Sequence, residues 1–102
     1  MIVPFSFHSG LEDGNRLQVS CSIMSGDLPI GIEWRKDGQP LPPDDSVSEQ
    51  QHQFASNLLF SDLSARHSGS YTCVASNAAA SANYTAPLLV RGRHAATPPL
   101  ES

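Results

Sequence analysis

Apolar residues recur along this chain at every second position, in short runs broken by turn-forming residues. From Arg16 to Ile23, the positions Leu17, Val19, Cys21 and Ile23 alternate with Arg16, Gln18, Ser20 and Ser22. That period of two predicts a strand with one buried face. Ile30, Ile32 and Trp34 repeat the pattern, with Glu33 and Arg35 turned outward. Residues 54–60 give a third run with Leu58 and Phe60 inward, Tyr71, Cys73 and Ala75 a fourth, and Tyr84, Ala86, Leu88 and Val90 a fifth. Ser25-Gly26-Asp27 separates the first two runs and Asp37-Gly38 closes the second, both strong turn signals. Near the start, Val3, Phe5 and Phe7 share one face around Pro4, whose missing N–H predicts an edge strand. Between Leu41 and Gln53 only Leu41 and Val47 are apolar, so a loop with one or two weak edge strands is expected there, in no assignable register. Nowhere does the i, i+3, i+4, i+7 pattern of a helix persist. Five to eight short strands, each buried on one side, predict two antiparallel sheets packed face to face.

Composition narrows the function. The 102 residues are 39% hydrophobic, enough for one core, and only 16% charged, below the usual quarter or so. Residues 1–90 carry four basic and nine acidic side chains, a net of −5. No basic patch is possible, which excludes nucleic acid and direct contact with an anionic membrane. The opening MIVPFSFHSG has neither the basic start nor the apolar run of a secretory signal. Strand alternation begins at once, so the chain reads as one module of something longer, a domain over residues 1–90. Residues 91–102, with Pro98-Pro99 and no alternation, read as a flexible linker or vector-derived tail.

Candidate chemistry is sparse. His8, His52, His67 and His94 fit no zinc spacing and are expected to be solvent-exposed loop residues. The fifteen serines include no G-x-S-x-G. Asp44-Asp45 with Asp37 and Glu49 suggests a loose Ca²⁺ site less well than a solvated acidic loop. The expectation is no enzyme, no metal and no cofactor. Two cysteines allow at most one internal disulfide. Asn83-Tyr84-Thr85 is the chain's one N-x-S/T sequon, and with Tyr84 inward Asn83 points out, where a glycan fits.

Several motifs together carry a family resemblance. Cys21, Trp34 thirteen residues later, and Tyr71-x-Cys73 preceded by Gly69 resemble an immunoglobulin domain. Glu12-Asp13-Gly14, Trp34-Arg35-Lys36-Asp37-Gly38 and Leu58-x-Phe60 resemble its intermediate (I) set. A closer likeness lies in IVPFSF at 2–7, GDLPIGIEW at 26–34, RHSGSYTCVASNAA at 66–79 and NYTA at 83–86. These resemble the Dscam (Down syndrome cell adhesion molecule) family, in particular the isoform-variable domains of arthropod and chelicerate members. Many immunoglobulin domains have an Asp where His67 stands, paired with an Arg near strand D, the edge strand before the 54–60 run. Here that Asp is missing and no Arg lies between Lys36 and Arg66, so the pair is expected to be lost as a unit.

The resemblance implies a Greek-key sandwich pinned by a Cys21–Cys73 bridge between its sheets, with Trp34, Leu58, Gly69 and Tyr71 as core signature. Such a bridge adds roughly 4 kcal/mol by loop-closure entropy and belongs to an oxidising compartment. It also implies an extracellular segment of a membrane-anchored receptor, flanked by further immunoglobulin domains. The expected activity is isoform-specific homophilic binding in self-recognition, neuronal wiring or cell adhesion. The partner is then an identical copy, paired antiparallel about a twofold axis through the A-B-E-D face, the sheet in which strand A is the run at Val3–Phe7, B the run at 16–23 and E the run at 54–60. Gln18, Ser20 and Ser22 with Asn57, Leu59 and Ser61 are the interface candidates, six uncharged positions with an exposed leucine, and strand A adds Ser6 and His8. The alternatives are an immune receptor or opsonin fragment that binds a heterologous ligand, and a spacer module that binds nothing.

Overall fold

The computed structural model describes residues 2–7, 9–24 and 30–91. His8, His94, the Ser25-Gly26-Asp27 turn and the tail after Arg91 lie outside the described residues. Among the described residues, nine strands follow in chain order: β1 Leu11–Glu12, β2 Leu17–Ser22, β3 Gly31–Lys36, β4 Gln39–Pro40, β5 Val47–Gln51, β6 Ala55–Phe60, β7 Gly69–Ser76, β8 Ser81–Leu88 and β9 Val90–Arg91. A 3₁₀ turn, Ala65–His67, precedes β7.

One sheet has the order β2-β6-β5 and the other β4-β3-β7-β8, all antiparallel, while β1 pairs parallel with β9. The inward residues read from the alternation meet between the sheets: Leu17, Val19, Cys21, Trp34, Leu58, Phe60, Tyr71, Cys73, Ala75, Ala86 and Leu88 are buried. Cys21 and Cys73 form the disulfide, with Cα atoms 6.4 Å apart. Trp34 lies directly opposite Cys73 in the β3–β7 register, so both face the same core.

The first strand departs from expectation. Ile2, not Val3, is buried, and Val3 is exposed. Ile2 bridges Ile23 while the Val3 N–H donates to the Ser22 carbonyl at 2.8 Å. Pairing with β2 ends there, and beyond Pro4 the rings of Phe5 and Phe7 pack on Trp34, Tyr84 and Tyr71 instead. The register therefore changes at Pro4, where no N–H is available to continue a ladder.

Residues 41–53 contain a five-residue edge strand, β5, paired with β6 from Val47↔Phe60 to Gln51↔Ser56. Its inward positions are Val47, Glu49 and Gln51, which is why no apolar alternation marked it.

The β3–β4 hairpin shows how local chemistry sets geometry. Asp37 and Gly38 both have positive φ, 52° and 81°, as a two-residue loop of this hand requires. The Asp37 carboxylate accepts the Ser70 N–H at 2.9 Å. It thereby lies over Gly69, where a Cβ would come within 2.9 Å of it. Gly69 is required by its own backbone, whose φ of 155° strains any side chain whatever the space around it.

Candidate functional site

The candidate interface residues occupy one outer face. Gln18 pairs with Leu59, Ser20 with Asn57 and Ser22 with Ala55 across β2 and β6, and Ser48 and Gln50 of β5 extend these rows. The Ser20 hydroxyl donates to Asn57 Oδ1 at 2.6 Å, so the central row is already paired within the domain. Ser61 follows at the lower edge, its hydroxyl donating to the Ser46 carbonyl. Leu59 is half-buried rather than exposed, because it lines a shallow groove with Arg16, Leu17, Gln18, Ser48, Phe60 and Ser61. Ser48, Gln50 and Arg16 belong to this face although the sequence reading omitted them. The residues of β5 were hidden by the polar inward positions of that strand. None of the outward residues of β2, β6 or β5 is acidic.

The opposite outer face differs. Glu33 and Arg35 lie 3.2 Å apart, the hydroxyls of Thr72 and Thr85 share a hydrogen bond of 2.7 Å, and Asn83 is exposed on β8 opposite Val74. The sequon is therefore sterically open, with its threonine side chain engaged by the neighbouring strand.

Two polar clusters join the sheets. In the first, Trp34 Nε1–H donates to the fully buried Ser56 hydroxyl at 3.0 Å. Ser56 donates onward to Glu49 at 3.5 Å, and Gln51 donates to Glu49 and to the Ile32 carbonyl on the other sheet.

The second cluster corrects two expectations. His67 is buried, 3% exposed, rather than a solvent-exposed loop residue, and the corner that lacks the expected pair holds a different one, Asp44 with Arg66. Asp44, in the loop after β4, takes both Nε and Nη2 of Arg66 at 3.2 Å and lies 3.0 Å from His67 Nε2. The Ser64 N–H donates to His67 Nδ1 at 3.0 Å, which leaves Nε2 to carry the proton and donate it to Asp44. The carboxylate sits in the loop between β4 and β5, and its cationic and imidazole partners precede β7. The Arg66 guanidinium first, then the hydroxyl and N–H of Ser46, hold the Asp44 carboxyl well below the usual carboxylate range. Next to this cluster Tyr71 donates to the His67 carbonyl at 2.6 Å, and burial pushes its phenol up to about 12. The acidic loop is thus a structural tether and not simply solvated. Among the described residues, no three His, Cys, Asp or Glu side chains converge as metal ligands would. No described helix is long and apolar enough to cross a membrane.

Two sheets pinned by a disulfide beside a tryptophan, with a tyrosine tied to the corner before the second cysteine, define an immunoglobulin domain. The family model described as immunoglobulin domain matches residues 2–77, and the chain belongs to that family. The cell adhesion molecule DSCAM of Rattus norvegicus is 43% identical over 90 residues, which is 88% of this chain and 4% of that protein. Dscam2 of Drosophila melanogaster is 45% identical over 91 residues, again 88% of this chain and 4% of the relative. Among solved structures, the Dscam1 Ig7 domain, isoform 5, superposes with a TM-score of 0.83 at 29% identity, covering 89% of this chain and 95% of that one. Within the family, this is a Dscam-type immunoglobulin domain, a class of adhesion rather than enzyme modules. The chain spans about 4% of the length of the curated relatives it matches.

Proposed function

We propose that this domain contributes isoform-specific homophilic recognition to the extracellular part of a Dscam-like adhesion receptor. A copy of itself would meet it face to face through the outer surface of β2, β6 and β5. The carrying observation is charge: in a domain of net −5 over residues 1–90, none of the outward side chains of β2, β6 and β5 is acidic. Like-charged copies repel, so the surface on which they meet must leave the carboxylates outside. A twofold axis lying in the plane of the interface, across the strands, sets the face against its own copy with the strands antiparallel, the ordinary geometry of a homodimer. Gln18, Ser20, Ser22, Asn57, Leu59 and Ser61 would then discriminate isoforms, and neighbouring immunoglobulin domains in the receptor would add avidity.

The opposite face is the natural place for a glycan on Asn83. A sugar there would shield β3, β7 and β8 and leave the proposed contact surface open. Mass spectrometry of the domain secreted from an animal cell reads this directly.

Analytical ultracentrifugation tests the main reading. The parent domain self-associates, and Ser20→Glu with Leu59→Glu makes it monomeric. Unchanged association in that double variant excludes this face. Mixed-cell aggregation then separates isoform-matched adhesion from binding to a heterologous ligand.

A further inference from the structure

The same face is not flat, and its relief suggests a particular register. Along β2 the outward side chains are Gln18, Ser20 and Ser22, and the alternation carries on to Met24 just beyond the strand. Met24 is 71% exposed, more than any other large hydrophobic among the described residues. At the other end of the face, beside Gln18, lies the shallow groove floored by Leu59. A protruding thioether therefore stands at one end, an apolar-floored depression at the other, and two serines between them. About 20 Å separates Gln18 from Met24 at the usual strand rise of ~3.4 Å per residue.

We infer that two copies pair about a twofold axis lying over Cys21, with Met24 of each copy seated in the Gln18–Leu59 groove of the other. This rests on the homophilic reading above and fixes its register. A twofold axis at that point maps position 20 onto 22 and position 18 onto 24. The small serine side chains then face each other, so the two β2 strands approach closely. The long flexible Met24 meets the depression floored by Leu59, and it does so twice per dimer. Methionine suits such a site because its unbranched, polarisable chain fills irregular gaps. Val3, exposed beside Ser22 through the Val3 N–H to Ser22 carbonyl bond, widens the apolar contact around the knob. The groove is lined by Leu17, Leu59 and Phe60 and by no carboxylate, so it suits an uncharged, apolar side chain from the partner copy.

The test is a charge-paired repair, read by sedimentation equilibrium of the 102-residue chain. Met24→Glu places a carboxylate against the partner's Gln18 and weakens self-association about tenfold or more. Adding Gln18→Arg to the same chain supplies a cation opposite each new carboxylate and restores the constant to within about threefold of the parent. Gln18→Arg alone stays near the parent, since no acidic group faces it. If Met24→Glu dimerises like the parent while Leu59→Glu does not, this register is wrong and the face remains. If the double variant is as weak as Met24→Glu, positions 18 and 24 do not meet and the inference falls. A parent that stays monomeric at the highest attainable concentration overturns the homophilic reading together with its register.

Discussion

The two polar clusters that join the sheets do similar work with different chemistry. Around Trp34 the link is a buried indole N–H on a buried serine hydroxyl, with Glu49 and Gln51 closing the network at the sheet edge. Around His67 the link depends on one carboxylate, Asp44, shared by a guanidinium, an imidazole and Ser46. Ordinary amide and hydroxyl donors satisfy the first cluster. The second is held by charge: the Asp44 carboxylate is matched by the Arg66 guanidinium and by the His67 N–H, and whatever breaks that match leaves a charge uncompensated.

The largest effect is expected from breaking that match. His67→Asp puts a second carboxylate against Asp44 in a buried position. Uncompensated buried charge costs about 3 kcal/mol or more, which urea unfolding at pH 7 resolves easily. Asp44→Arg in the same chain restores a pair of the more familiar polarity and recovers at least half of the loss. A double variant no more stable than His67→Asp alone shows that the corner is fixed by shape instead.

This corner also marks where the sequence stopped being legible. Alternation identified both sheets and turned Cys21, Trp34, Tyr71 and Cys73 inward, because inward apolar positions have a period that survives any detail of packing, while the bridge itself came from the family resemblance. It located Gln18, Ser20 and Ser22 on an outer face for the same reason. It failed at Val3, where Pro4 ends the pairing with β2 and the register shifts. It also failed at β5, whose inward Glu49 and Gln51 carry no hydrophobic signal although they bond to Ser56 and to the Ile32 carbonyl. The tie from Asp44 to His67 spans 23 residues and has no local signature. A histidine at that position reads as a loop residue until the Ser64 N–H is seen to occupy its Nδ1.

Next in size is the neutral cluster. Ser56→Ala removes the acceptor of the Trp34 indole and leaves that N–H buried without a partner, at a cost of about 1–3 kcal/mol. Thermal unfolding followed by tryptophan fluorescence checks this, with the emission of Trp34 reporting its own surroundings. A loss below that of Asp44→Asn would reverse the ranking of the two clusters.

Asp44→Asn keeps the shape and removes the charge, and about 1–2 kcal/mol is lost at pH 7 with the charge-assisted bonds. Its pH dependence follows from the lowered carboxyl. A carboxyl held below its ordinary value of 3.8 stabilises the fold wherever the unfolded chain would be ionised, that is, above about pH 4. The contribution fades as pH falls below that range, when the unfolded chain binds the proton first. The stability gap between parent and Asp44→Asn therefore narrows from pH 7 to pH 2.5. A gap that stays constant over that interval removes the charge from the explanation.

The smallest effect should come from the other carboxylate, and it sharpens the contrast most. Glu49 belongs to the Trp34 cluster, but it lies on the exposed edge strand and meets Ser56 only at 3.5 Å, the limit of a hydrogen bond. Its close partner is Gln51 at 2.7 Å, itself exposed and also bonded to the Ile32 carbonyl. Glu49→Gln keeps the length of the side chain and an amide oxygen able to accept both bonds, while Trp34 retains the Ser56 hydroxyl. Surface substitutions of this kind stay within about 0.5 kcal/mol, so urea midpoints of parent and Glu49→Gln should coincide at pH 7. A loss as large as that of Asp44→Asn would mean that charge also holds the Trp34 cluster, and the distinction between the two joints would disappear.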